Sequence, residues 1–518
     1  MSAEAGAETA AAFPAAQGTA SPDAWLRLSP RTLAVRPITD LLRSAPVLIG
    51  LFYEGSHGGR GNYWGLGFGA FAVLAGIWRW FGTKYRITED RVYVKRGLLS
   101  PRVLSTPRSG VRSVDLTAHV MYRVLGVAQV KIGTGRNDKR EGENFKLDSL
   151  NVADAEALRS LLLTEASRST HVASEIETEL VRLHGSWIRF APLTLTGLVI
   201  LGVLVGFVTQ AEHDTGVNLT ALGPVHSGIQ HMTRMPLAES IPFGMVAILL
   251  GLVLVSVLGY VAVFWNFRLV RTGLGSLRVT RGLLSKRATT IDEARLRGVE
   301  ISEPLSLRAA KGARCIAITT GLRVGGGAER GGSVLLPPAP RAVAHAVAAE
   351  VLGVPAGLGS IELVPHGPAA LRRRELRATV PLAVLLCAAL GVLLALGVHP
   401  PYWTVAILPI ALVLGFLLGR DRYRGLGHRL AGEWIVVSTG SLVRRRSILS
   451  VYGVIGWGLR QTWFQRRRGL VTVTATTAAG KQRYSVADVP MAEALAFITA
   501  ATPALVPPFL TSPAGHAA

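Results

Sequence analysis

The peptide YRITEDRVYVKRGLLS, Tyr85–Ser100, ends in five residues that return in LRVTRGLLS, Leu277–Ser285. The two copies of Arg-Gly-Leu-Leu-Ser lie 185 residues apart, and each follows soon after a long apolar stretch. A five-residue match can occur by chance, so its meaning depends on whether the surrounding sequence repeats as well.

The surroundings repeat three times. Pairs of glycines mark the repeat at spacings of 29, 30 and 29 residues: Gly97 and Gly126, Gly282 and Gly312, Gly440 and Gly469. In each copy a run rich in β-branched residues follows the second glycine, and an alanine-rich amphipathic stretch follows that run. The sequence therefore predicts three units of one kind.

The first copy indicates what a unit contains. Apolar and polar residues alternate from Tyr85 to Lys95 around Glu89-Asp90, which predicts a short β-hairpin with one solvated face. Gly97 follows the second strand, where a turn with positive φ is expected, and Gly282 and Gly440 are its equivalents. Further strands and one C-terminal helix predict a small bent antiparallel barrel capped at one end.

This order of helical hairpin, strand-rich unit with Tyr-Arg-Ile-Thr and Arg-Gly-Leu-Leu, and terminal helix resembles the bacterial pleckstrin-homology (PH) membrane proteins of the YdbT type, over roughly residues 25–505. The resemblance implies a polytopic α-helical membrane protein with three α+β cytosolic domains. Each would be a PH-like barrel capped by a C-terminal helix and preceded by a transmembrane hairpin.

Apolar runs precede every unit. A helix needs about 20 apolar residues to cross about 30 Å of hydrocarbon. Five runs approach that length, and a shorter sixth contains Pro46; they cover 44–53, 63–81, 188–209, 241–265, 379–398 and 402–419. The predicted plan is a disordered tail at 1–24, hairpins at 44–81, 188–265 and 379–419, PH-like domains at 82–165, 266–355 and 420–502, and a second tail at 503–518. The segment 163–186 is interpreted as a partly helical linker.

Positive charge sets the expected orientation. Of the 56 Lys and Arg residues, only Arg60 and Arg234 lie in the loops within the hairpins. The positive-inside rule then places both termini and all three PH-like domains on the cytoplasmic side of the inner, or plasma, membrane. The net charge of +23 suggests nucleic acid at first, but the basic residues crowd against apolar runs, so no nucleic-acid partner is expected.

Motifs for catalysis are absent from the sequence. No phosphate-binding loop, zinc-protease motif or nucleophile elbow occurs, the 12 His are scattered, and only two Cys are present. We therefore expect no enzyme activity, no catalytic residues, no cofactor and no bound metal. Five arginines in turns are candidate contacts for anionic lipid or an acidic partner: Arg123, Arg308, Arg466, Arg467 and Arg468. Solvated strand edges guarded by charge are the plainer interpretation of the same residues.

Two functions fit this plan. The first is a non-catalytic docking or scaffold protein that binds the bilayer, an unidentified membrane or envelope protein, and anionic headgroups by weak charge attraction. The alternative is a transporter or an export or antimicrobial-resistance factor that uses the six spans. The cores of the predicted spans contain no Asp, Glu, Lys or His, which usually mark a transport route, so docking is favoured.

Overall fold

A computed structural model describes residues 25–27, 83–88, 90–97, 101–107, 113–119, 122–123, 125–133, 145–155, 158, 177–194, 202, 206, 227, 236–273, 275–320, 333–355, 357–397, 401–402 and 406–503. The chain divides into two compact units. The first holds residues 1–111, 121–130 and 140–166, and the second holds 112–120, 131–139 and 167–518.

The described strands and helices are as follows. The strands are β1 (Leu26–Arg27), β2 (Lys84–Ile87), β3 (Arg91–Arg96), β4 (Arg102–Pro107), β5 (Ser113–His119), β6 (Val127–Gly133), β7 (Phe145–Asn151), β8 (Thr178–Arg182), β9 (Arg268–Thr272), β10 (Ser276–Arg281), β11 (Ser285–Asp292), β12 (Leu296–Pro304), β13 (Gly312–Thr319), β14 (Val334–Pro340), β15 (Gly427–Ala431), β16 (Trp434–Thr439), β17 (Val443–Ser450), β18 (Val454–Arg460), β19 (Leu470–Thr477) and β20 (Arg483–Pro490). The α-helices are α1 (Leu237–Phe264), α2 (Leu305–Ala309), α3 (Arg341–Leu352), α4 (Gly367–Ala395), α5 (Ile407–Arg424), α6 (Trp463–Arg466) and α7 (Met491–Ala501), and a 3-10 helix, η1, spans Gly185–Leu193.

The first unit contains an antiparallel sheet of β1, β2, β3 and β4 in that order. Tyr85 pairs with Val94, and Ile87 pairs with Val92. Val92 and Val94 are fully buried, because alternate residues of a strand face the same side. The hairpin predicted from the opening peptide is confirmed.

The second unit contains antiparallel sheets built from β5 of the first repeat and from strands of the second and third repeats. β5, β11, β10, β9 and β8 pair in that order, β14, β13, β12, β17, β16 and β15 form another row, and β18, β19 and β20 form a third. One apolar core lies between β9–β14 and α3 and includes Phe267, Leu269 and Ile301. A second core lies between β15–β20 and α7 and includes Ile435, Val473 and Phe497.

An extended segment precedes the apolar run of each repeat. Residues 178–182 form β8 and pair with β9, so this part of the predicted linker is extended rather than helical. Leu26 pairs with Tyr85 in the first sheet, and Val364 bridges to His428 in the last. In all three places the chain adds an extended segment to a sheet that lies beyond the intervening apolar run.

The three turn glycines adopt the predicted backbone. φ is 94° at Gly97, 107° at Gly282 and 100° at Gly440. A Cβ at Gly282 or Gly440 would overlap the carbonyl oxygen of the residue three positions further on, Ser285 or Val443. Glycine is therefore required at these turns on two counts, backbone angle and space.

The second glycine of the repeat needs a correction. Lys311, not Gly312, takes the positive φ of 57°, beside 66° at Gly126 and 61° at Gly469. All three residues stand 29 positions after their turn glycine, so the spacing is the same in every copy. Gly312 is small for another reason, because its Cβ would lie 2.7 Å from the ring of buried Phe190.

These three residues make the same two backbone hydrogen bonds. Their amides donate to the carbonyl three residues earlier, at distances of 3.1, 3.1 and 3.2 Å to Arg123, Arg308 and Arg466. Their carbonyls accept from the first residue of the following helix, at 3.2, 2.9 and 3.0 Å from Val152, Arg341 and Met491. One turn geometry thus recurs three times in the described chain.

Candidate membrane interface

Two described helices are long and apolar enough to cross a membrane, Ala238–Phe264 and Gly367–Ala395. Only 11% of the most apolar window of the first and none of that of the second is buried. The core helix of a soluble protein would bury such a surface, so these exposed helices indicate membrane association. They coincide with the predicted spans at 241–265 and 379–398.

Of the other predicted spans, one corresponds to a described helix and the rest lie wholly or mostly outside the described residues. α5 occupies the place of the span predicted at 402–419, but its last turns carry Arg420, Asp421, Arg422 and Arg424. Residues 44–53 and 63–81 lie outside the described residues, as does most of 188–209 beyond η1. α4 and α5 pack antiparallel, and Gly419 lets the backbones approach, since its Cβ would lie 2.7 Å from Cα of Glu375.

The Gly-Leu-Leu turn of the second repeat lies against the end of α1. Gly282 donates its amide to the carbonyl of Trp265 at 2.9 Å, and Leu283 donates to Ala262 at 2.9 Å. These bonds satisfy carbonyls that the end of a helix leaves without partners. Leu283 and Leu284 are nevertheless exposed, at 40% and 60%. Both leucines therefore stand bare beside the end of an apolar helix.

The equivalent turn of the third repeat lies against the end of α5. Ser441 Oγ donates to Asp421 Oδ2 at 2.9 Å, and a Cβ on Gly425 would overlap the carbonyl oxygen of Gly440. Leu442, the next residue in the turn, is 61% exposed. The arrangement of the second repeat therefore recurs.

The short helix α2 joins both neighbourhoods. Its Leu305 amide donates to the carbonyl of Leu442 at 2.6 Å, and Ser306 Oγ donates to the carbonyl of Leu193 at the end of η1, at 2.5 Å. Leu305 is 49% exposed. A fourth exposed apolar side chain, after Leu283, Leu284 and Leu442, thus lies beside the base of predicted spans.

The short helix α6 occupies the same place in the third repeat and is more strongly amphipathic. Thr462 and Gln465 form a capping box that fixes its first turn. Trp463 and Phe464 are 57% and 67% exposed and meet edge to face, with 5.0 Å between ring centroids. Arg467 lies over the Trp463 ring at 4.2 Å, and Arg466, Arg467 and Arg468 are all exposed.

A buried carboxylate ties α6 to the base of α4. Asp488 is fully buried and accepts hydrogen bonds from Arg373 Nη1, from Arg374 Nε at 2.6 Å and from Gln465 Nε2 at 2.9 Å. Two guanidinium groups and an amide offset the cost of burying its charge. Because Arg373 and Arg374 belong to α4, this network fixes α6 beside the apolar helix.

These turns and short helices carry six exposed apolar side chains, and we call them the apolar rim: Leu283, Leu284, Leu305, Leu442, Trp463 and Phe464. Tryptophan, leucine and arginine together suit the boundary between hydrocarbon and headgroups. Sequence reasoning did not single out this rim. The Gly-Leu-Leu motif is a sequence signal for Leu283 and Leu284 alone, since two leucines after a turn glycine have no strand face on which to bury.

The five arginines predicted from the sequence as contacts for anionic lipid or an acidic partner differ in their surroundings. Arg123, Arg308 and Arg466 occupy equivalent positions, 26 residues after their turn glycines. Arg308 is engaged: its Nη2 lies 3.2 Å from Asp421 Oδ1, and its Nη1 donates to the Ser441 carbonyl at 3.2 Å. The structure brings Arg466, Arg467 and Arg468 together at the C-terminal end of α6, whereas Arg123 lies in the first unit.

Two buried histidines lie next to the Asp488 network. His366 Nε2 and His428 Nδ1 are 3.1 Å apart, and His366 Nδ1 lies 2.9 Å from the carbonyl of Ala487. Burial lowers the pKa of His428 to about 4, and His366 contributes to the shift; burial also lowers the pKa of His366. The pair is therefore neutral at pH 7, and one ring donates its proton to the other. Among the described residues, no group of three or more His, Cys, Asp or Glu is placed to hold a metal ion.

Comparison with protein families finds a match for two of the three repeats. Residues 44–166 and 377–501 match the model of the bacterial PH domain. Two regions of the chain are thus similar to bacterial PH domains. The first matched region begins with the span predicted at 44–53, and the second begins two residues before the span predicted at 379–398 and ends with α7, so each match joins predicted spans to the strands that follow them. No curated protein and no solved structure matches the chain.

Proposed function

We propose that the chain is a membrane-anchored, non-catalytic docking protein whose three PH-like domains stand on the cytosolic face of the membrane. The two matched PH regions support a docking role, and the two exposed apolar helices support membrane association. Residues 266–355, the second repeat, are proposed as a further PH-like domain beside the two matched regions. They share the turn glycine, the positive φ 29 residues later and the same two backbone hydrogen bonds.

The six predicted spans in three hairpins complete the proposed architecture. α4 and α5 supply the packing expected of one hairpin, and α1 contacts η1, which opens the other predicted span of its pair. The concentration of arginines at the bases of these helices supports a cytosolic orientation for the sheets. The described helices give no observation in favour of a transport path.

The apolar rim is the observation that carries the proposal. Its side chains are exposed, and each belongs to a turn or short helix that is hydrogen-bonded to the end of η1, α1 or α5 or, through Asp488, to the arginines at the base of α4. Burying six such side chains in the interface would stabilise a fixed distance between sheets and membrane, at about 1.5–3 kcal/mol for each side chain that becomes fully buried. The arginines of α6 would add charge attraction to anionic lipid of about 1 kcal/mol each.

Depth-dependent quenching tests the proposed contact. The full chain with Cys387→Ala and Phe464→Cys is labelled with an environment-sensitive fluorophore and reconstituted into vesicles that contain lipids with quenchers at the level of the headgroup or of the acyl chain. The matched control is Glu433→Cys, an exposed residue at the opposite end of β16 from Gly440, roughly 20 Å away. Strong quenching at 464 and none at 433 is expected. Equal quenching at both positions, or none at either, contradicts the proposed interface.

A further inference from the structure

Two strand pairings join consecutive repeats, and their registers are the same. β5 of the first repeat pairs antiparallel with β11 of the second, with Ser113 opposite Ile291. β12 of the second repeat pairs with β17 of the third, with Gly298 opposite Leu449. Counted from the turn glycine of its own repeat, the residue 16 positions on pairs with the residue 9 positions on in both cases. The match continues over seven paired positions, to His119 opposite Ser285 and Pro304 opposite Val443.

This shared register pairs one strand type of each repeat with another strand type of the next repeat. One strand of each type has no such pairing among the described residues. β18 is the third-repeat equivalent of β5 and β12, and β4 is the first-repeat equivalent of β11 and β17. Among the described residues, β18 pairs only with β19, and β4 pairs only with β3. Each strand therefore presents a row of backbone N–H and C=O groups at the edge of a sheet.

β18 is shaped like a strand that has a partner. Gly456 is the equivalent of Gly298, and the same register irregularity precedes both, between Val454 and Gly456 and between Leu296 and Gly298. A Cβ on Gly298 would overlap the carbonyl oxygen of Ile448 on the pairing strand, whereas one on Gly456 would meet nothing within 4 Å. The space that a paired strand fills at Gly298 is thus open at Gly456.

The edge of β18 is also apolar where β4 is apolar. Leu459 and Ile455 of β18 are 48% and 65% exposed, and Ile455 lies at the register irregularity. Val103 of β4 is 54% exposed. In the shared register Leu459 falls opposite Val103, and such cross-strand apolar pairs stabilise a sheet. Natural edges are usually guarded by Lys or Pro, and β18 contains neither.

We propose that β18 of one copy of the chain pairs with β4 of a second copy, with Gly456 opposite Thr106, so that copies join end to end in the membrane. The occupant is a second copy because β4 is the strand type that both internal pairings select and continues the same register. The proposal deepens the docking role by naming a partner. The register also places Arg460 opposite Arg102, where the internal pairings have Thr117 and Ser302 opposite an arginine.

Crosslinking between differently tagged full-length chains tests the pairing. One copy carries Val103→Cys and the other Leu459→Cys, both with Cys387→Ala, and membranes are treated with a short bismaleimide. A covalent dimer with both tags is expected, and Glu433→Cys in place of Leu459→Cys should give none. Absence of the dimer overturns the proposal. When both cysteines are placed in one chain, a crosslink that forms only within that chain also overturns the proposal. A crosslink to a different protein overturns it as well.

Two further variants separate pairing from folding. Gly456→Val should leave thermal unfolding of the detergent-solubilised monomer unchanged, because its Cβ has open space, yet lower the dimer yield about tenfold by overlapping the partner strand. Arg460→Ser should raise the yield, because it removes the like-charged pair. Unchanged yields in both variants contradict the proposed register. Quenching at position 464 reads lipid contact, so failure here is distinguishable from failure of the membrane interface.

Discussion

The ammonium of Lys481 lies 2.6 Å from Oε2 of Glu300, which joins the turn between β19 and β20 to the centre of β12. Glu300 is 4% exposed, and Arg445 is its other cationic neighbour, at 3.5 Å. The pair therefore connects residues of the second and third repeats inside the second compact unit.

Lys481→Met should destabilise this unit by about 2 kcal/mol, because a buried carboxylate loses its nearest charge while Arg445 remains. Adding Glu300→Gln should recover most of the loss, since no buried charge is then left. Thermal unfolding of the detergent-solubilised chain measures both, with exposed Lys286→Met as the control. A double variant no more stable than the single one would contradict this account.

Asp488→Asn should be more damaging, at about 3–5 kcal/mol, because two guanidinium groups lose their shared buried carboxylate. It should also loosen α6, which Asp488 holds through Gln465, and reduce quenching of a fluorophore at position 464. Asp421→Asn is the matched control, since that carboxylate is 33% exposed and also binds two arginines. Equal losses from the two variants would argue against a special role for Asp488.

Stability should fall on acidification. The folded-state pKa of His428 is about 4, and an unfolded histidine titrates near 6.5, so the unfolded chain binds more protons between these values. This contribution is complete above about pH 6.5 and is lost progressively as the pH falls towards 4. His428→Gln should flatten the profile of unfolding temperature against pH. A residual slope is expected from His345, whose pKa burial and nearby arginines also lower to about 4.

Gly282→Ala should destabilise the chain by well over about 2 kcal/mol, because strain at positive φ adds to overlap with the Ser285 carbonyl. Gly353→Ala is the matched control: φ is also positive, at 65°, but a Cβ meets nothing within 4 Å, so about 1–2 kcal/mol is expected. Unfolding temperatures of the two variants compare the effects directly. Similar losses would show that space at the Gly-Leu-Leu turn does not matter.

Replacing Arg466, Arg467 and Arg468 by glutamine should weaken lipid contact at α6 on anionic vesicles and leave it nearly unchanged on neutral ones. The readout is fluorescence quenching at position 464 at rising salt, where variant and parent should converge because salt screens exposed charges. Loss of quenching on neutral vesicles as well would mean that the substitutions disturb α6 itself.

Local patterns were enough to predict a hairpin and the turns that follow such strands. Alternation around Glu89-Asp90 and the turn glycines gave the β2–β3 hairpin and positive φ, because both depend on neighbouring residues only. The position of Lys311 was missed, because a non-glycine at positive φ has no clear sequence signal and Gly312 stands beside it. The small size of Gly312 answers to distant Phe190 instead.

Long-range pairing was beyond reach of the same patterns. The segment Thr178–Arg182 does not show that it pairs with β9 across a predicted span pair, and β5 does not show that it pairs with β11. At the candidate interface the arginines of α6 were identified by their density. The rim leucines and Asp488 were not, because their roles depend on which helix end lies beside them.

In both strand pairings between repeats, the paired residues lie 16 and 9 positions after their turn glycines. This constant spacing restricts the length of the chain between the turn glycine and the paired strand. An insertion or deletion of one residue between Gly282 and Gly298 would shift the strand register by one and turn every side chain on the joined edge to the opposite face. Related chains should therefore vary freely in length at the glycine-rich segment 321–332 and hardly at all between Gly282 and Gly298. Whole repeats, by contrast, can be gained or lost without disturbing the joints that remain.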